Sequence, residues 1–561
     1  MAEPNLNLLR LWALVVVIGL SLHLGGWPLL DADEGRNGEV GREMAATNDY
    51  VMPRLDGLPY LDKPVVYFAA EAAAMEVLGP TEVAARLPAL LFTLLTAALI
   101  GWFARRIWGE AEGWVAAIAM LSMPLTLAFS RTVIFDSALT FFVVAAIIAF
   151  YLAIEARGDG SDATASPVRA TQRRYAAVAW LAIGLGVITK GPVAILLPLL
   201  VVIPYAIKRK RFGALGSWLG LLLFIVAVAP WVWGVQQVVP DFLHYVVVTE
   251  TAQRLATKAL KRTGPPWYFL PYLIGGGLPW IIVLASGEQR VASGEAAESD
   301  SPLTARGSPL ANTYLWLWLI LPFVFFSISQ SKRPQYILPI MPAIALLIAS
   351  RWRTLRTRAG ATAWLLFGAI LLAAPAIINA RHMRVELLGA TETFAVAFGI
   401  VCLIAGIVGF AKRKELAIAA LSLPVIAIPL VAQPLMSALA MRRSAQSFVM
   451  QLAPRLTPST EVVGVEAFTG SLAFYLRRPV TVVTPDAEEL TSNYLIRHYD
   501  QFADASGSAL RRPASLAAIL ADTTRARIFV ARNDDRSNRA LLERHGLRLV
   551  AEGAHFVAYT R

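Results

Sequence analysis

One feature constrains this chain above all others. From Leu8 to Met436, apolar runs of about 15–22 residues follow one another. Each run is long enough, as a helix with some tilt, to cross a bilayer core of about 30 Å. A soluble multidomain protein of 561 residues would not carry 57% apolar and only 16% charged residues, since soluble chains run closer to half apolar and a quarter charged. The pattern also excludes a transmembrane β-barrel, whose strands of about 10 residues alternate apolar and polar. The expected fold is an all-α polytopic membrane protein of about thirteen transmembrane helices, followed by a small soluble α/β domain. The single cysteine, Cys402, lies inside an apolar run and excludes an intrachain disulfide.

The runs fall near 8–27, 84–104, 113–130, 133–154, 175–190, 192–207, 214–235, 268–286, 311–328, 335–350, 362–379, 393–410 and 415–436. The first has a weak basic flank, only Arg10, and no small-residue cleavage site after it, so it reads as an uncleaved span. Compact basic clusters alternate with the runs: Arg105-Arg106, Arg173-Arg174, Lys208 to Arg211, Arg351 to Arg358 and Lys412 to Lys414. The positive-inside rule makes these loops cytoplasmic. It accounts for the formal charge of +12 without nucleic acid as a partner. The N-terminus is then inside. Residues 28–83, 131–132, 236–267, 329–334, 380–392 and the tail after 437 face outward. Arg157–Arg174 and Gly287–Pro309, rich in Gly, Ser, Ala and Asp, read as mobile loops.

The domain plan is a transmembrane domain over 1–436, containing an outer catalytic loop at 28–83, and a soluble domain over 437–561. In the tail, Val462–Val465, Val480–Val483, Ile528–Ala531 and Phe556–Tyr559 read as strands and Arg539–His545 as a helix. No glycine-rich phosphate fingerprint is present, so no cofactor is assigned to it.

Ionisable residues in or beside spans are costly and are functional candidates by default. The first outer loop carries Asp31, Asp33, Glu34, Arg36, Glu39, Arg42 and Glu43, then Tyr60-Leu61-Asp62-Lys63-Pro64. An amphipathic helix is expected over Gly38–Thr47, with Asp33 and Glu34 in extended chain before it and Arg36 paired to Glu34. Asp136 interrupts the fourth run, and Thr189-Lys190-Gly191-Pro192 breaks two runs apart. The outer loops further carry Glu250, Arg254, Lys258, Lys261, Arg262, Lys332, Arg333 and Tyr336. For Lys332 and Arg333, interfacial snorkelling is an equal alternative. Basic residues on the outer side run against the positive-inside preference, and binding phosphate explains them most economically. ATP is absent outside the membrane, so the energy must arrive in the substrate. A sugar on a polyprenyl phosphate meets that need.

These residues also carry a resemblance. Asp33-Glu34-Gly35-Arg36, Arg42-Glu43-Met44, Val51 to Gly57, Leu58 to Pro64, Thr189-Lys190-Gly191 and Gln253-Arg254 resemble the aminoarabinose transferases of lipid A modification. Those are C-type membrane glycosyltransferases related to the protein O-mannosyltransferases. The resemblance implies an undecaprenyl phosphate-linked sugar as donor and lipid A, another glycan or another lipid as acceptor. It implies that Asp33 is the catalytic-loop aspartate and Asp136 a cavity aspartate of the family; with Glu34, from its place beside Asp33, these are the candidate catalytic carboxylates. Lys63 and Arg254 would hold the donor phosphate, with Tyr60 and Tyr336 lining its site; Lys332, from its place in the outer loop, is a further candidate phosphate ligand. Arg36, Asp62, Lys190 and Glu250 would support it. Asn37 stands where the family commonly has Tyr, and Thr251 where it commonly has His. The missing histidine weakens a divalent-metal site, so no metal ligands are assigned. Two rival readings remain at this stage: transfer to protein, as in the O-mannosyltransferases, and a transporter of lipid-linked saccharides.

Overall fold

The structure is a computed structural model, and it describes residues 3–156, 166–246, 264–287, 309–380 and 387–561. It divides into two compact units. The first comprises residues 1–22, 89–131 and 135–432. The second comprises residues 23–88, 132–134 and 433–561.

The first unit is helical. A helical segment falls at each of the thirteen apolar runs, from Leu6–Ser21 to Lys414–Val431. Among the described residues, eight helices are long and apolar enough to cross a membrane alone, and a ninth if a bent pair counts as one span. The chain is thus a multi-pass membrane protein. The helix Asp136–Glu155 is almost wholly buried, whereas Phe212–Val238 is mostly exposed, as expected of a central helix and a lipid-facing one.

Several runs are not single rods. Glu110–Leu121 and Pro124–Ser130 meet at 69°. Pro124 opens the second of these as its first residue, where its missing N–H costs nothing. Near 268–286 the chain forms two short helices, Phe269–Gly276 and Trp280–Ala285, parted by Pro279. Ser166–Lys190 and Val193–Lys208 are separated at Gly191, whose φ of +96° needs a glycine. The loop expected over 157–174 is corrected: the helix already runs from Ser166 through Arg169, Arg173 and Arg174, so that basic pair lies on a helix. Residues 288–308 and 157–165 lie outside the described residues.

The second unit joins the first outer loop to the tail. In the loop, the helix Asp33–Thr47 begins five residues earlier than expected, and a second helix, Val66–Leu78, follows. Between them β1 (Arg54–Leu55) and β2 (Leu58–Pro59) pair antiparallel. Asp56 and Gly57, both at positive φ, close this hairpin, the conformation an Asp-Gly pair favours. In the tail, β3 (Glu461–Val465), β4 (Thr481–Val483), β5 (Leu510–Arg511), β6 (Arg527–Arg532), β7 (Arg548–Glu552) and β8 (Phe556–Thr560) form one sheet in the order β5-β4-β3-β6-β8-β7. β3, β4, β5 and β6 run parallel, and β8 and β7 antiparallel. Alternate residues Val463, Val465, Phe529, Ala531, Val557 and Tyr559 pack with Leu516, Leu520 and Leu542 into its core. The expected helix at 539–545 spans Arg536–Arg544, and Asp535 caps it by accepting from the backbone N–H of Ser537 and Asn538 at 3.0 Å.

This packing has a topological consequence. The first loop, the segment 132–134 and the tail belong to one unit, so all three lie on the same side of the membrane. The number of crossings between each pair must be even. Of the thirteen apolar runs read from the sequence, two (84–104 and 113–130) fall between the first loop and segment 132–134, and ten between that segment and the tail; both numbers are even, as this arrangement requires if each run is one crossing.

In a Cys402→Ser background, cysteines placed at the exposed Asn48 and Ser459 should therefore both react with a membrane-impermeant maleimide from the same side of sealed vesicles. Labelling from opposite sides would refute the crossing count.

Candidate active site

The loop's sequence brings a dense set of carboxylates and guanidinium groups into the second unit. The helix starting at Asp33 places Asp33 and Glu34 in its first turn, not in extended chain, and the two side chains have different fates.

Glu34 is buried at 4% exposure and meets the fully buried Arg86 through two bonds of 3.0 and 2.8 Å. Arg86 gives its remaining donors to the carbonyls of Leu24 (3.0 Å), Trp27 (2.8 Å) and Pro28 (3.0 Å). All five guanidinium N–H groups are thereby used. Glu34 in turn accepts from the backbone N–H of Leu30 at 3.1 Å and Val133 at 3.2 Å. This corrects the expected Arg36–Glu34 pair. The signal for the true partner was an arginine just inside an apolar helix, Glu82–Ile107, where a charge requires a partner. Glu34 is a structural anchor in this arrangement.

Asp33 keeps a side chain 35% exposed and pairs with Arg36 at 2.7 Å. Its charge suits the helix N-terminus, where the backbone dipole is positive. Arg36 also reaches the carbonyl and hydroxyl of Thr491 at 3.0 and 2.9 Å and lies 5.9 Å from the centre of the Tyr60 ring. Tyr60 is buried, edge-on to Phe68. Asp62 accepts from the N–H groups of Asn493 (2.8 Å) and Tyr494 (3.0 Å), opening the short helix Asn493–Arg497. Its role in the structure is to tie the loop to the tail. The half-buried Lys63 directs its ammonium to the carbonyl of Asp62.

Around these groups lie further buried acids. Glu39 is paired to Arg42 by two bonds of 2.6 Å, and Asp56 accepts from Val480 N–H at 2.7 Å. Glu71 has no hydrogen-bond partner among the described residues. Burial pushes all three well above the ordinary carboxylate range, opposed at Glu39 by Arg42 and reinforced at Glu71 by Glu34.

The first unit holds its own polar cluster. Asp136, buried at the start of one helix, forms an ion pair with Lys190, the last residue of another. Each charge matches the dipole of its helix end. The Lys190 ammonium lies 4.9 Å from the centre of the Tyr336 ring, a cation–π contact. Sequence reasoning named all three residues without seeing that they meet. Lys332 donates to the carbonyls of Phe326 (2.9 Å) and Ser327 (2.6 Å), at the end of the helix Pro309–Ile328, and faces the Phe269 ring at 5.3 Å. Its burial lowers the ammonium pKa. Glu250, Thr251 and Arg254 lie outside the described residues. Among the described residues no group of three His, Cys, Asp or Glu is placed to hold a metal ion.

Removing one member of a buried ion pair strands the other charge, at about 3–5 kcal/mol. Arg86→Met and Glu34→Leu should each lower the yield and melting temperature of the purified protein, with the double variant recovering part of the loss. Single variants as stable as the wild type would contradict the anchoring role.

Comparison with known proteins gives the family. The profile of the dolichyl-phosphate-mannose-protein mannosyltransferase family matches residues 40–246. An undecaprenyl phosphate-α-4-amino-4-deoxy-L-arabinose arabinosyl transferase of Aeromonas salmonicida is 32% identical over 65% of this chain and 65% of its own length, just under two thirds. The same-named protein of Aeromonas hydrophila is 31% identical over 70% of this chain and 69% of its own. The crystal structure of ArnT from Cupriavidus metallidurans bound to undecaprenyl phosphate superposes with a TM-score of 0.81 at 25% identity, covering 98% of this chain and 97% of that one. The chain belongs to the aminoarabinose arabinosyl transferase family of polytopic, polyprenyl-phosphate-dependent glycosyltransferases.

Proposed function

We propose that this protein is an integral glycosyltransferase of the bacterial inner membrane. It moves 4-amino-4-deoxy-L-arabinose from undecaprenyl phosphate to lipid A at the periplasmic face. The observation that carries the reading is the match along 98% of the chain to a structure that holds undecaprenyl phosphate. The basic loops at Arg105-Arg106, Lys208 to Arg211 and Lys412 to Lys414 support a cytoplasmic N-terminus. The first outer loop and the soluble domain over 437–561 are then periplasmic, and 1–436 is the membrane domain.

The chemistry follows from the residues. In the donor, the sugar's anomeric carbon leaves polyprenyl phosphate, and negative charge grows on the phosphate as the bond breaks. Lys63 and Arg254 stabilise that charge and hold the donor. Asp33 acts on the acceptor. Toward a hydroxyl it serves as general base, taking the proton as oxygen attacks an oxocarbenium-like carbon. Toward a lipid A phosphate, already an anion, it orients the acceptor or holds the cationic group of the sugar. The Asp136–Lys190 pair and Tyr336 make a second polar point in the membrane domain. Lys190 is its cation, with one side engaged by Asp136 and an aromatic face on another. Asp62, Arg36 and Glu34 keep the loop in shape and are not assigned a chemical step.

The mannosyltransferase profile over 40–246 favours one rival, transfer to protein. Mass spectrometry of lipid A from cells with and without the gene separates the two. The proposal expects an aminopentose-sized adduct that disappears with the gene and returns on complementation. Unchanged lipid A, with a glycosylated protein lost instead, would overturn it.

A further inference from the structure

In the proposed reaction the Asp33 carboxylate must face the acceptor in one orientation, because a misplaced catalytic group costs rate steeply. Arg36 Nη2 donates to it at 2.7 Å. An arginine is a long side chain with many rotamers, so it orients a carboxylate only when its own fork is fixed. Arg36 Nε has no acceptor among the described residues. The other terminal nitrogen, Nη1, donates to both oxygens of a single tail residue, the Thr491 carbonyl at 3.0 Å and the Thr491 hydroxyl at 2.9 Å. The Tyr60 ring, centred 5.9 Å from the guanidinium carbon, backs the fork.

Thr491 makes this double contact from a left-handed backbone, with φ of +53° and ψ of +28°. A β-branched residue adopts that conformation rarely and at a cost, whereas glycine adopts it freely. The residue is exposed, so core packing does not impose the strain. Strain of this kind persists only where the surrounding structure over-determines it, and it clusters at functional sites.

The surroundings that hold it are explicit. The Thr491 N–H closes a turn on the Glu488 carbonyl at 3.0 Å. The next residue, Ser492, caps the helix Asn493–Arg497 by accepting from the Leu495 N–H at 3.3 Å. Asp62 of the first loop accepts from the N–H groups of Asn493 and Tyr494 at that same helix start. The loop therefore holds the tail at Asp62, and the tail holds the loop at Arg36, both through one short segment. Gly470 brings a second piece of tail against the same helix turn: a Cβ there would lie 2.2 Å from the Arg36 nitrogen and 2.4 Å from the Gly35 carbonyl carbon. The first turn that carries Asp33 is thus seated on the tail by its backbone and gripped by it through one side chain.

We propose that Thr491 is a positioning residue for sugar transfer: by gripping Arg36 it fixes the Asp33 carboxylate in the orientation that meets the acceptor. The proposal rests on the transferase reading. Thr491 touches no reacting atom, and it makes the tail a working part of the site that the loop carries. Donor binding is assigned to other residues, Lys63 and Arg254, so loss of the grip should show in turnover and not in donor affinity.

Steady-state transfer by the full chain in nanodiscs tests this, with undecaprenyl phosphate-linked aminoarabinose as donor, lipid A as acceptor, and melting temperatures measured beside the rates. Thr491→Val keeps the shape and removes the hydroxyl. Its kcat should fall about tenfold, with the donor KM and the melting temperature unchanged. Thr491→Ser keeps the hydroxyl and should transfer as the wild type does. Thr491→Gly, relieved of the left-handed strain, should melt no lower than the wild type and still lose transfer. A residue that served stability alone would lose melting temperature and rate together. Wild-type kcat in the Val and Gly variants, a changed donor KM at unchanged kcat, or a loss of rate that only follows a lower melting temperature would overturn the proposal while leaving the transferase reading intact. A wild type that binds the donor and transfers no sugar would overturn that reading, and this proposal with it.

Discussion

The buried pair between Glu34 and Arg86 is the constraint on which the second unit depends. Arg86 belongs to the first turns of a long apolar helix, Glu82–Ile107, and Glu34 to the first turn of the loop helix. Their two mutual bonds fix that helix against the chain at Leu24–Pro28, and the Val133 N–H adds the segment 132–134. A guanidinium with five satisfied donors tolerates burial that a lone cation would not. The rest of the loop is then tied to the tail through Asp31 to Ser471, Asp56 to Val480, Asp62 to Asn493 and Tyr494, and Arg36 to Thr491. Each tie is a carboxylate or guanidinium meeting backbone groups, so the charges of the loop largely organise the loop itself.

That organisation sharpens the assignment of chemistry. Of two adjacent carboxylates, one is saturated by four partner groups and buried, and the other is at the surface of its helix with an arginine neighbour. A group that must exchange protons or contact an incoming acceptor needs access, and Asp33 has it.

Much of this was legible in the residues. The apolar runs give the membrane fold because a length near 20 residues has few other uses. Gly191-Pro192 marks a real break because one residue needs positive φ and the other lacks an N–H. Four of the six tail strands show as apolar β-branched runs. β5 has only two residues, and β7 is largely exposed along its length, so neither carries a periodic signal. The helix beginning at Ser166 was hidden by arginines that look like a loop but are tolerated on a helix. Partner identity was hidden most of all. Glu34 with Arg86, and Asp136 with Lys190, are each more than 50 residues apart, and no local pattern encodes such pairing.

The central claim is that Asp33 acts in transfer while Glu34 holds the fold. The direct test is Asp33→Asn in purified protein in nanodiscs, with binding and turnover of a defined polyprenyl-phosphate sugar donor measured separately. The account predicts normal folding and donor binding, with transfer reduced by about 10²–10⁴-fold. Wild-type transfer by Asp33→Asn, alongside a well-folded but inactive Glu34→Gln, would contradict it.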